Sequence, residues 1–97
     1  MQDLKAELAE TIDEAVWEWL IPHVQRDVVV VVAQHLELLE VGVAIATNNT
    51  ASVQHWISEQ LIGKPSLAQM QAWNGYRAKR FNALIVNPYI FVQEILD

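Results

Sequence analysis

Cysteine is absent from this sequence, which excludes a disulfide framework, a thiolate nucleophile and a cysteine-based zinc site. Basic residues are scarce: six Lys and Arg stand against twelve Asp and Glu, for a formal charge of -6 and a pI near 4.8. A nucleic-acid backbone attracts Lys and Arg, so this balance argues against DNA or RNA as a partner. Only three glycines occur, Gly42, Gly63 and Gly75, too far apart to form a phosphate-cradling loop. No paired-histidine spacing of a metalloprotease appears, and no acidic loop has the ligand pattern of a calcium site. No run approaches the ~18 apolar residues of a membrane span. Met1 to Glu7 is acidic and amphipathic, without the basic start and apolar core of a secretory signal. The expectation is a soluble cytoplasmic protein that needs no cofactor.

What the chain does have is apolar content. Hydrophobic residues make up 53% of it, with a mean hydropathy of +0.15. Its 97 residues suffice for one domain, spanning 1–97. A small monomer hides that much apolar surface with difficulty, and self-association is expected.

Along the chain, Leu4, Leu8, Ile12, Ala15, Val16, Trp19 and Leu20 recur at helical spacing, which predicts one helix from Asp3 to Ile21, stopped by Pro22. Asp3, Glu7, Glu10, Glu14 and Glu18 then form an acidic stripe on its other side, with Trp17 beside it and away from the apolar face, either marking an interface or covered by the loop after Pro22. Val28 to Ala33 reads as a strand, and so does Leu38 to Thr47, with a turn at Gln34–Glu37. The second strand has large residues at Leu39, Val41, Val43 and Ile45 and mostly small ones at Glu40, Gly42, Ala44 and Ala46. Alternation of this kind makes one bulky face and one shallow floor, against which something must lie close. A helix capped around Asn48–Thr50 follows, carrying Val53, Trp56, Ile57 and Leu61 and ended by a left-handed Gly63. Ser66 and Gln69 fit a capping box that opens a third helix, stopped at Asn74–Gly75. The segment from Asn82 to Ile95 reads as a third strand broken or bulged at Pro88, hence an edge strand or one bent at that point. The predicted fold is α+β, a small antiparallel three-stranded sheet with three helices in the order α-β-β-α-α-β, with the second strand central. The first and third strands are apolar on both sides. The helices either divide between the two faces or all pack on one and leave the other to a second subunit; the second arrangement, and with it a homodimer, is the favoured expectation.

Residues of chemical interest are dispersed. His23, Arg26 and Glu40 could form a polar end to a pocket above the small-residue floor. Trp73, Tyr76, Arg77, Arg80 and Phe81 bring aromatics and cations together, a combination able to hold an anion. With the stripe residues Glu10, Glu14 and Glu18 and with Trp17, Trp73, Tyr76, Arg77 and Arg80 form a candidate partner surface. The leading reading is a non-enzymatic, homo-oligomeric protein-interaction module with a further protein partner in view. The alternative is a small-molecule binding protein for an anionic ligand, or an enzyme, using a pocket near that floor.

Several motifs in order, Trp17…Leu20…Pro22-His23…Arg26, Leu38-Leu-Glu-Val-Gly-Val-Ala-Ile-Ala46, Trp56-Ile57, Trp73, and Arg80-Phe-Asn-Ala-Leu-Ile-Val-Asn-Pro88…Val92-Gln-Glu94, resemble the small bacterial proteins grouped as domain of unknown function family 2288. The resemblance covers nearly the whole chain. It implies a compact α+β domain in bacteria, cyanobacteria among them, and no activity, ligand or catalytic residue.

Overall fold

The computed structural model describes residues 3–96. Among these, five helices and a five-stranded mixed sheet follow one another as α1 (Leu4–Thr11), β1 (Asp13–Val16), α2 (Trp17–Gln25), β2 (Val29–Val32), α3 (Leu38–Ala46), α4 (Thr50–Ser58), β3 (Ile62–Gly63), α5 (Leu67–Asn74), β4 (Arg80–Val86) and β5 (Tyr89–Glu94). The sheet order is β1-β4-β5-β2-β3, antiparallel throughout except for the parallel β2–β5 pair. This corrects the expected α+β arrangement of three antiparallel strands and three helices.

Three departures account for the difference. The expected first helix is interrupted because Ile12 turns extended and Asp13–Val16 pairs with Ala83–Arg80 of β4. Trp17 and Glu18 continue that approach, their amides donating to Lys79 O at 2.9 Å and Arg77 O at 3.1 Å as α2 begins. Pro22 then lies inside α2 instead of stopping it. An interior proline removes one helical hydrogen bond at a cost of about 3 kcal/mol. Here the burial of Trp17 and Leu20 opposes that cost.

The second departure is Leu38–Ala46, expected as the central strand and found as α3. Its large and small residues alternate, yet Leu38, Val41, Gly42 and Ile45 also satisfy the i, i+3, i+4, i+7 spacing of a helix, and the first three are buried. The close approach inferred from the small residues does exist. A Cβ built on Gly42 would meet Leu84 Cδ2 at 2.3 Å, so the missing side chain lets α3 settle onto β4.

The third is Asn82–Ile95, which is a hairpin instead of one edge strand. Its turn contains a cis Asn87–Pro88 peptide bond, and β4 and β5 occupy interior positions of the sheet. Proline sits in the turn, where no ladder hydrogen bond is asked of it.

Three of the five helices end by one device. α2, α3 and α4 stop with Asp27, Asn48 and Gln60 at φ 60, 57 and 59. In each the left-handed residue and its successor bond back to the last turn, as in Asn48 N to Ile45 O at 3.2 Å and Asn49 N to Ala44 O at 2.8 Å. These are Schellman closures made without glycine. Gly63, expected to end α4, belongs to β3. The capping box at Ser66 and Gln69 is present as the sequence predicts.

Because side chains alternate along each strand, the sheet has two apolar faces. On one, Val29, Phe81 and Val92 pack with Trp17 and Leu20 of α2 and Trp73 of α5. On the other, Val32, Ile62, Leu84 and Phe91 pack with Leu38 and Val41 of α3, and partly with Leu8 of α1 and Val53 and Trp56 of α4. The helices therefore divide between both faces, and neither face is left bare for a second subunit. Among the described residues no helix is long and apolar enough to cross a membrane.

Candidate functional site

The residues singled out from the sequence fall into three groups. His23 and Arg26 meet at the end of α2, the guanidinium Nη2 donating to His23 Nδ1. Glu40 projects from α3 in the helical layer on the opposite side of the sheet, so the structure does not bring it to them. The acidic stripe is distributed over three elements: Glu10 on α1, Glu14 on β1 and Glu18 on α2, all exposed. Glu14 is engaged with Arg80 of the neighbouring strand, Oε1 to Nη1 at 2.9 Å.

Trp17 is 2% exposed and so lies in the core, not on a surface. It forms an aromatic cluster with Trp73 and Phe81, whose rings lie 5.0 Å apart nearly edge-on, while Trp17 and Trp73 are 5.0 Å apart and tilted. Each indole N–H has a partner: Trp17 Nε1 donates to Asn74 Oδ1 at 2.8 Å, and Trp73 Nε1 to Glu94 Oε1 at 3.3 Å. Lys79 Nζ lies 3.5 Å from the same carboxylate and donates to Ile95 O at 3.3 Å. Two of the aromatics in the aromatic-basic segment thus build the core, and Lys79 ties down the C-terminal strand. Tyr76 and Arg77 remain exposed in the loop before β4.

Two of the open clefts among the described residues lie on the α1–α3–α4 side and border α4. The first lies between α4, the end of α3 and strands β2, β3 and β5, where Val30, Ile45, Val53, Ile57, Ile62 and Phe91 wall a space of 280 Å³ with Tyr89 at its rim. α4 buries none of its residues fully, so its apolar side meets the sheet only partly and leaves this cleft. Ile57 is 51% and Tyr89 42% exposed. Its charged residue, Lys64, is paired with Asp27 at 3.4 Å.

The second cleft, of 380 Å³, lies between α1, α3 and α4 and is lined by Lys5, Glu40, Val43, Ala44, Thr47, Asn49, Ser52 and Trp56. Glu40 and Ala44 are two of the small-face positions noted in the sequence. Lys5 and Trp56 come from other helices, and no spacing in the sequence links them. Elsewhere, Gln93 Nε2 donates to Ala33 O at 2.8 Å and Leu36 O at 2.6 Å, fixing the loop that enters α3. Among the described residues no polar or charged side chain is buried, and no three His, Asp or Glu side chains are grouped to hold a metal ion.

The fold and these clefts define a small α+β protein, a mixed five-stranded sheet between two helical layers. The chain belongs to the family described as protein of unknown function (DUF2288), whose model matches residues 3–94. No curated protein matches the chain. Among solved structures it is similar to the NMR solution structure of PA1075 from Pseudomonas aeruginosa, at 24% identity and a TM-score of 0.82 over all of this chain and 89% of that one. That likeness shows the fold.

Proposed function

We propose that this protein is a non-enzymatic binding module that pairs with a second copy of itself through the apolar cleft beside α4 and β5. The observation that carries this reading is the cleft's lining: Ile45, Val53, Ile57, Ile62, Tyr89 and Phe91 offer a nearly unbroken apolar surface whose rim residues are half exposed. Charge layout supports it. Residues 3–18 hold six of the twelve acidic residues, and they build α1, β1 and the start of α2, with β1 at the sheet edge opposite β3. Two chains of charge -6 repel, but the cleft lies toward the β3 edge, away from Asp13 and Glu14 on β1, and its own charged residue, Lys64, is a cation.

Light scattering over a dilution series tests this. The wild-type chain should keep the mass of a dimer into the low micromolar range. Tyr89→Asp and Ile57→Asp, placed at exposed rim positions, should each return a folded monomer. A wild-type monomer at every concentration, or a dimer indifferent to both substitutions, would refute the reading.

A further inference from the structure

The cleft between α1, α3 and α4 has a chemistry of its own, independent of whether the chain pairs. Lys5 and Glu40 face it from different helices, and neither makes an ion pair among the described residues. Neutral hydrogen-bonding groups line the same cleft. Thr47 Oγ1 donates its proton to Val43 O at 2.7 Å, which leaves its lone pairs as acceptors. Asn49 Oδ1 accepts from Ser52 N at 3.3 Å, which leaves the amide NH₂ free to donate. Val43, Ala44 and the half-buried Trp56 supply an apolar wall. The volume of 380 Å³ is at the small end of the roughly 300–1,000 Å³ range of ligand pockets.

We infer that this cleft binds a small zwitterion, a free α-amino acid or a short peptide with an apolar side chain, with its carboxylate toward Lys5 and its ammonium toward Glu40. A simple anion meets Glu40 as a like charge, and a simple cation meets Lys5. Only a ligand carrying both charges satisfies both ends at once. Its hydrophobic body fits the Trp56, Val43 and Ala44 wall, and Thr47 and Asn49 offer an acceptor and a donor on the same lining.

The test is an amide NMR titration of the full chain with L-leucine, L-phenylalanine and glycyl-L-leucine. At least one should give saturable shifts confined to Lys5, the Glu40–Trp56 amides and the Trp56 indole N–H, with an affinity in the millimolar range or tighter, below about 10 mM. The single-charge analogues 4-methylpentanoate and 3-methylbutylamine should give no saturable shift there. Glu40→Gln and Lys5→Met, both at exposed positions, should keep the wild-type spectrum elsewhere and weaken binding about tenfold or more, as loss of a charge-assisted contact does. The inference is overturned by the absence of saturable shifts with all three zwitterions, by single-charge analogues that bind as well as L-leucine, or by full affinity in both variants.

Discussion

Trp17 and Trp19 of α2 share no environment, since two positions along a helix lie about 200° apart around its axis. Trp17 is 2% exposed and Trp19 63%. Trp17→Ala should cost about 3–5 kcal/mol, because it empties the site against Trp73 and Phe81 and leaves Asn74 without its indole donor. Trp19→Ala should change stability by no more than about 0.5 kcal/mol. Urea denaturation of both variants checks the pair, and equal losses would contradict the packing described. Gly42 is the other residue whose identity is set by a neighbour. Alanine is the better helix former by about 1 kcal/mol, yet its methyl would fall 2.3 Å from Leu84 Cδ2, a fully buried side chain. Overpacking of this kind costs about 1–3 kcal/mol. Gly42→Ala should therefore destabilise the protein by about 1 kcal/mol, and a stabilised variant would mean that Leu84 turns aside freely.

Helix ends are where this chain departs from the usual use of glycine. Asp27 and Asn48 tolerate the left-handed region better than most residues, since their short polar side chains interact locally with the backbone. Gln60 has no such aid, and the left-handed conformation costs a non-glycine residue roughly 1–2 kcal/mol. Gln60→Gly should raise stability by about 0.5–1 kcal/mol once the extra chain entropy of glycine is deducted. A midpoint of urea unfolding that moves down instead would show that the Gln60 side chain supports the α4 closure. At the same scale, the Glu14–Arg80 pair joining β1 to β4 is exposed, and such pairs contribute no more than about 1 kcal/mol. β1 is held by its ladder, with Ala15 opposite Phe81, more than by that contact.

In the whole molecule, two cores fill the two sides of the sheet, β1 with Asp13 and Glu14 forms one sheet edge, and the apolar cleft opens toward β3 at the other. The proposed pairing thus rests on one incompletely covered cleft, since both sheet faces carry helices. If the rim substitutions at Tyr89 and Ile57 leave the solution mass unchanged, the apolar surplus of the composition has a different outlet. The zwitterion cleft adjoins this region through α4 but uses the helix's other residues, Ser52 and Trp56 instead of Val53 and Ile57, so the two can be tested separately.

By itself the sequence determined the α+β class, the family, the β2 strand, an entry into α4 within Asn48–Thr50 and the capping box of α5. These signals act between near neighbours: a side chain reaches an amide three positions on, or a β-branched run resists helix. Of the candidate sites, Glu40 and Ala44 were singled out as part of a strand's small-residue floor, but in α3 Gly42 packs on Leu84 while Glu40 and Ala44 line a cleft with Val43, so that floor does not form. Tertiary structure decided the rest. Asp13–Val16 is a strand because β4 offers it an edge, although its local periodicity suits a helix. Leu38–Ala46 is a helix because Leu84 fits against Gly42, although its alternation suits a strand. Trp17 is buried because that break in the first helix turns it toward Trp73 and Phe81. Strand pairing and helix docking join groups far apart in the chain, so the same short stretch meets two local patterns equally well until its distant partner chooses between them.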